Sequence, residues 1–289
     1  MRLVDIKNLT VNFPEHEGIV QAVRGVTMHV DAGESLGIVG ESGSGKSVTC
    51  MAILRLLREP PAKITADHLI LGGEDMLTAD RRKLASMRGR IAAMVFQDPM
   101  TAFDPVFSIG HQIIETIQAH RTLSHTQAKA EAAILLAKVE IKNPAAVLES
   151  YPHQLSGGML QRAMIAMALS CRPRILFADE PTTALDVTIQ AQVLALIDRL
   201  RRDHDTAVLL ITHDLGVVGQ VCDRVGVMHG GKLLETGQTR AIFANPQHPY
   251  TRALMDANPV GKRRGTRLPV IPPEWSVESL LAREEAADG

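Results

Sequence analysis

The residues with the clearest chemical potential are Gly40-Glu41-Ser42-Gly43-Ser44-Gly45-Lys46-Ser47, which fit the pattern G-x-x-x-x-G-K-[ST] in full. Glycines let several backbone N–H groups converge on one point, and a helix starting directly after them adds its positive end. Lys46 brings a point charge suited to β- and γ-phosphates, and the Ser47 hydroxyl is a hard donor suited to Mg²⁺. The loop therefore reads as a cradle for a nucleoside triphosphate.

A second group is Arg174-Ile175-Leu176-Phe177-Ala178-Asp179-Glu180, an apolar strand ending in two carboxylates. Asp179 is placed to orient Mg²⁺, and Glu180 to polarise an attacking water beside the γ-phosphate. A third is Leu155-Ser156-Gly157-Gly158-Met159, directly before a helical pattern. Ser156 can cap that helix while Gly157 and Gly158 bare its first N–H groups, which makes a second anion-binding helix start. A helix start in an inserted lobe does not reach its own phosphate loop, so the economical arrangement is a nucleotide closed over by a second subunit. An Asn-Lys-x-Asp base-reading motif, which a GTPase would need, is missing from the sequence.

These groups need scaffolding. Alternating apolar residues at 3–13 and 20–30, separated by Pro14, acidic residues and Gly18, predict two antiparallel strands. Residues 35–39, 91–96, 174–178 and 207–212 are continuous apolar runs of strand length, which suit a mainly parallel sheet covered on both faces. Helical spacing runs over 46–58, with Pro60 and Pro61 expected to end the helix. Lys46 and Asp179 lie too far apart for one helix and one strand. Helical patterns at 111–120, 126–139 and 158–170 fill that interval as an inserted lobe. Strands at 225–228 and 232–235 turn at Gly230-Gly231, and the chain is helical again beyond them.

The 289 residues, 45% hydrophobic, are enough for one sizeable core and a second lobe. A net charge of −1 argues against nucleic acid as partner. No apolar run is long enough for a membrane span and the N-terminus does not read as a signal peptide, so the protein is expected in the cytosol. Cys50, Cys171 and Cys222 lack metal-ligand spacing and read as buried apolar residues.

Taken together, the motifs resemble the nucleotide-binding domain of ABC transporters over nearly the whole length. Residues 40–47 are similar to the Walker A loop, Gln97 to the Q-loop and 155–159 to the signature, with Met159 where the family usually has Gln. Asp179 and Glu180 are similar to the Walker B pair, Ala184-Leu185-Asp186 to the D-loop and His213 to the switch histidine. The resemblance implies an α/β fold, a P-loop NTPase cassette with a mainly parallel core sheet, an N-terminal antiparallel β subdomain and an inserted α-helical subdomain. It implies ATP and Mg²⁺ as cofactors, with Ser47, Gln97 and Asp179 toward the metal and Glu180 and His213 supporting hydrolysis. Phe13 would stack on adenine, Ser156, Gly157 and Gly158 would meet the nucleotide of a facing subunit, and Asp186 would organise the dimer interface.

The runs 151–159, 97–101, 179–188 and 242–251 resemble the peptide/nickel importer branch. Domain expectations follow: an ATPase domain at 1–257, with the helical subdomain at roughly 98–172 and a branch-type extension at roughly 236–257, then a Pro/Arg/Glu-rich tail at 258–289. In that tail Lys262, Arg263, Arg264 and Arg267 form a basic cluster, read as solvated or touching anionic lipid. The implied function is ATP hydrolysis energising import of di- or oligopeptides. Nickel or metal chelate, opine and glutathione remain alternatives, as does a soluble ABC ATPase outside transport. Implied partners are two permease subunits, a second, non-identical ATPase subunit and a periplasmic solute-binding protein, at the cytoplasmic face of a bacterial inner membrane.

Overall fold

The structure is a computed structural model that describes residues 1–15, 18–182, 185–257 and 275. Ala184 of the expected D-loop and, apart from Trp275, the tail with its basic cluster lie outside the described residues.

Strands β1 (Arg2–Glu15) and β2 (Gly18–Asp31) open the chain, followed by β3 (Ser35–Val39) and helix α1 (Lys46–Ile53). Short strands β4 (Lys63–Thr65), β5 (His68–Leu71) and β6 (Glu74–Asp75) precede α2 (Arg81–Met87) and β7 (Ala92–Val95). A run of helices comes next: α3 (Pro99–Ala102), α4 (Ile109–His120), α5 (His125–Lys138), α6 (Pro144–Glu149) and α7 (Gly157–Leu169). Then β8 (Ile175–Asp179), α8 (Val187–His204), β9 (Ala207–Thr212) and α9 (Leu215–Val221) alternate. Last come β10 (Arg224–His229), β11 (Lys232–Gln238), α10 (Thr239–Ala244) and α11 (Pro249–Ala257).

The chain divides into two compact units. The first comprises Met1–Val4, Val30–Glu34 and Ile70–Leu209; the second comprises Asp5–His29, Ser35–Leu69 and Leu210–Gly289. In the second, β3 is buried at every position and pairs in parallel with β10, from Leu36 opposite Arg224 to Val39 opposite Val227. β11 returns antiparallel on β10 through Gly230 and Gly231, both at positive φ as a tight two-residue turn requires. β1 neighbours β2 and carries β4, with Thr10 opposite Thr65. The buried positions of β1 change phase across Asn8, from Val4 and Ile6 to Leu9 and Val11. Asn8 adopts φ 56°, so a bulge absorbs the slip.

In the first unit β7 and β8 pair in parallel, Ala92 opposite Ile175 and Val95 opposite Ala178. Helices α4, α5 and α7 form where helical spacing predicts them; α3 and α6 were not anticipated. Both are short and begin with proline after an Asp or Asn cap, signals of a helix start rather than of periodicity.

Helix α1 corrects one expectation. It stops at Ile53, well before Pro60 and Pro61. Arg55 takes φ 53°, its N–H donates to the Ala52 carbonyl, and Leu56 N–H donates to the Met51 carbonyl. That pairing satisfies the last carbonyls and ends the helix from within, without the prolines. Cys50, Cys171 and Cys222 are buried and form no disulfide. Among the described residues no helix is long and apolar enough to cross a membrane.

Candidate nucleotide site

In the second unit the glycine-rich loop leaves β3 and feeds α1. A Cβ on Gly40 would lie 2.1 Å from the Met228 carbonyl oxygen and 2.9 Å from Ser44 Oγ, so only glycine lets the loop sit on the end of β10. Gly45 takes φ 95°, and a Cβ there would lie 2.4 Å from the Ala22 carbonyl oxygen. Gly231 N–H donates to the Ser44 carbonyl at 3.1 Å, and Arg24 N–H donates to the Gly231 carbonyl at 2.8 Å. The loop is thereby wedged between β2 and the β10–β11 turn. Lys46 is 5% exposed and donates from Nζ to the carbonyls of Gly40 (2.9 Å) and Glu41 (2.7 Å) and to Ser44 Oγ (3.3 Å). Glu41, Ser42 and Gly43 stay exposed, leaving the crown of the loop open. The first turn of α1 carries no acidic residue, so its positive end is not neutralised locally. A buried ammonium, an open ring of main chain and a bare helix start make an anion site.

Two other expected residues lie in this unit. Phe13 is half-buried near the end of β1. His213 is exposed between β9 and α9, where the Thr212 hydroxyl accepts from Asp214 N–H (3.0 Å) and the Asp214 carboxylate accepts from Gly216 N–H (2.7 Å). Those two bonds fix the strand-to-helix junction that presents the imidazole.

In the first unit the register of β7 on β8 decides the geometry. Val95 stands opposite Ala178, and Gln97 and Glu180 each follow two residues beyond that last pair. Gln97 Nε2 accordingly donates to Glu180 Oε2 at 3.4 Å. Asp179 is buried at 6% exposure, whereas Glu180 is half-buried and takes φ 43°. A left-handed glutamate costs on the order of 1–2 kcal/mol, and such strain concentrates at working sites.

The signature residues start α7. Ser156 Oγ accepts from Met159 N–H at 3.4 Å; Ser156 and Gly157 are exposed and Gly158 half-buried. A Cβ on Gly158 would lie 3.1 Å from Ile189 Cγ2. Ile189 is held by Asp186, whose carboxylate caps α8 by accepting Ile189 N–H at 3.0 Å. Asp186 therefore has a local task, fixing the surface on which the signature glycine packs.

Two features escaped the sequence reading. Arg162, 8% exposed inside α7, donates to the Val139 carbonyl (2.8 Å), Glu140 Oε2 (3.1 Å) and Gln192 Oε1 (2.9 Å). An arginine within the apolar run of α7 was the available signal. The other feature is an aromatic cluster around His229 and Tyr250, whose members are far apart in sequence.

With the geometry in hand, the chain can be compared with known proteins. Residues 23–183 match the ABC transporter family, and residues 234–280 match the oligopeptide/dipeptide transporter C-terminal region. A probable peptide ABC transporter ATP-binding protein of Sinorhizobium fredii is 51% identical over 93% of this chain and 81% of its own length. The oligopeptide transport ATP-binding protein OppD of Bacillus subtilis is 46% identical over 94% of this chain and 77% of its own. Among solved structures, the dimeric post-hydrolysis state of the ATP-binding cassette MJ0796 bound to ADP and Pi superposes with a TM-score of 0.73. It is 28% identical and covers 82% of this chain and 99% of that one. A glycine loop with a buried lysine, a strand ending in Asp-Glu and a Ser-Gly-Gly helix start thus occur in a chain that belongs to the ABC transporter family, as an ATP-binding and ATP-hydrolysing subunit carrying the oligopeptide/dipeptide C-terminal region.

Proposed function

We propose that this chain energises a bacterial importer of di- or oligopeptides. The observation that supports the peptide assignment is the match of residues 234–280 to the oligopeptide/dipeptide transporter C-terminal region, whose described part up to Ala257 lies in β11, α10 and α11. In this reading the ATPase domain spans 1–257, its helical subdomain roughly 98–172 and its extension roughly 236–257. Lys46 and the N–H groups of 40–47 hold the phosphates, and Phe13 stacks on the adenine. The Ser47 hydroxyl, the Gln97 amide oxygen and the Asp179 carboxylate are hard oxygen donors, the class that Mg²⁺ prefers. Bound Mg²⁺ supplies charge neutralisation on the phosphate oxygens. Glu180 takes the proton of the attacking water, with Gln97 holding its carboxylate, and His213 steadies the γ-phosphate. Ser156, Gly157 and Gly158 close over the nucleotide of a second, non-identical ATPase subunit, with Asp186 at that interface. Two permease subunits and a periplasmic solute-binding protein complete the assembly, at the cytoplasmic face of the inner membrane.

The test is Glu180→Gln in the assembled complex. MgATP binding should survive while turnover falls by a factor on the order of 10²–10⁴, the share of a general base. Turnover near wild type refutes the role. Uptake of labelled di- and oligopeptides by a strain lacking this chain, set against nickel and glutathione, tests the solute; unchanged peptide uptake refutes it.

A further inference from the structure

The chemistry above gives no task to the rings of α11, yet they lead straight to the phosphate loop. His229 ends β10, one residue beyond Met228, whose carbonyl faces Gly40. It is 1% exposed, and its Nδ1 lies 3.8 Å from Glu41 Oε2. Tyr250, in the first turn of α11, is fully buried, with its ring centroid 4.2 Å from that of His229. Trp275 extends the cluster, 5.9 Å from Tyr250 and 5.4 Å from His248.

The rings are delivered rigidly. Glu235 on β11 accepts the N–H groups of Gln247 (2.8 Å) and His248 (3.0 Å), and His248 Nδ1 accepts Tyr250 N–H (3.1 Å). Arg252 closes the same turn onto the carbonyls of Pro246 (2.9 Å) and Gln247 (3.1 Å).

The polar atoms of the pair are costly where they stand. The Tyr250 hydroxyl is set against the Glu41 backbone and the His229 ring against that of Trp275, and neither contact is a fully formed hydrogen bond. A buried polar atom left short of a full bond costs stability. Packing alone would be better served by leucine and phenylalanine. Burial pushes the His229 imidazole below its ordinary range against the pull of Glu41, so at neutral pH the ring is uncharged and its contact with Glu41 is dipolar. What the two side chains share is Glu41, whose carboxylate faces the His229 ring and whose backbone faces the Tyr250 hydroxyl, and whose carbonyl takes the shortest of the Lys46 bonds given above.

We infer that His229 and Tyr250 are positioning residues for ATP binding: the extension braces the Glu41 segment and, through its carbonyl, the Lys46 ammonium. Nucleotide affinity is then set partly by a region outside the phosphate loop. The brace acts on ground state and transition state alike, so its loss raises KM and Kd while leaving kcat in place.

Tyr250→Leu in the full-length chain should weaken MgATP binding, measured by calorimetric titration, about 10-fold, less than the roughly 10²-fold of a full 1 Å misplacement. Turnover at saturating MgATP should stay within about twofold of wild type. Tyr250→Phe, which keeps the ring, should restore most of the affinity. Leu136→Ala, a buried α5 position in the other unit, controls for general destabilisation. Wild-type affinity in Tyr250→Leu, or an equal loss in Leu136→Ala, overturns the inference. If Tyr250→Leu does not fold, His229→Phe reads the same contact: weakened MgATP binding supports the brace and unchanged binding removes it.

Discussion

Replacing Arg162 with methionine should destabilise the first unit by about 1–4 kcal/mol, and the structure says which bond carries the loss. Helix α5 ends at Lys138, with Val139 as its cap and Glu140 at φ 63° beyond. The last carbonyls of a helix lack internal partners. Arg162 supplies the donor for Val139, and Arg199 Nη2 supplies the one for Lys138 at 3.2 Å. Val139 is 1% exposed, so losing the guanidinium orphans a buried carbonyl, at about 1–3 kcal/mol. The ion pair to Glu140 adds less than about 1 kcal/mol, because that carboxylate is half-exposed. Gln192 is exposed and turns to water, and methionine replaces most of the buried stem. Against a typical domain stability of about 5–15 kcal/mol this is a large fraction. Urea unfolding followed by circular dichroism reads it as a lower midpoint at unchanged slope. Glu140→Gln should shift the same transition by less than about 1 kcal/mol. If Glu140→Gln costs as much as Arg162→Met, the ion pair and not the orphaned carbonyl is decisive, and the reasoning fails.

Gly40→Ala forces the loop off Met228, a shift approaching 1 Å, and should lower kcat/KM for ATP by about 10²-fold with the circular dichroism spectrum unchanged; wild-type kinetics would contradict the wedge. Ser156→Asp keeps a good cap but sets a negative charge where a phosphate is proposed to dock, so stability should hold while turnover falls on the order of 10²-fold or more. Unchanged ATPase activity in the assembled complex would remove the helix start from the mechanism. The hydrogen bond from Arg121 holds the Glu131 carboxyl below its ordinary value of 4.5 against the opposing effect of burial, and Arg172 adds to the lowering. Its stabilisation is therefore complete above pH 4.5 and lost as pH falls through the lower folded-state value; unfolding midpoints for Glu131→Gln should depend less on pH in that window than those of the native chain.

Legibility in the sequence followed the range of the forces involved. The glycine loop, the strand ending in Asp179-Glu180 and the Ser156 cap are written in contiguous residues, and the chain folds them as strand-loop-helix, buried strand and helix start. Helical spacing overruns the end of α1 because its stop depends on the backbone angle at Arg55, which no residue type there announces. The meeting of Gln97 with Glu180 needs the β7–β8 register, and the contact of His229 with Tyr250 needs β11 to carry α11 back. Such pairings are set by sheet geometry that local pattern does not encode.

The caps distribute charge in a way that bears on where an anion settles. Asp98, Asp186 and Asp214 cap α3, α8 and α9, each laying a carboxylate on the positive end of its helix. Helix α1 is entered through Gly45 with no side-chain cap, and α7 through the neutral Ser156, and neither has an acid in its first turn. A helix start attracts an anion only while its dipole is not already answered by a carboxylate. Aspartate caps as well as serine does, so helix stability alone gives no reason to withhold a carboxylate from these two starts. A phosphate docking at either start would need the N–H groups that a capping carboxylate would occupy, and Lys46 adds its charge at the start of α1. Helix capping and phosphate recognition therefore compete for the same atoms, and the proposed phosphate sites at α1 and α7 both lack a capping carboxylate, as the serine-capped α4 and α5 also do.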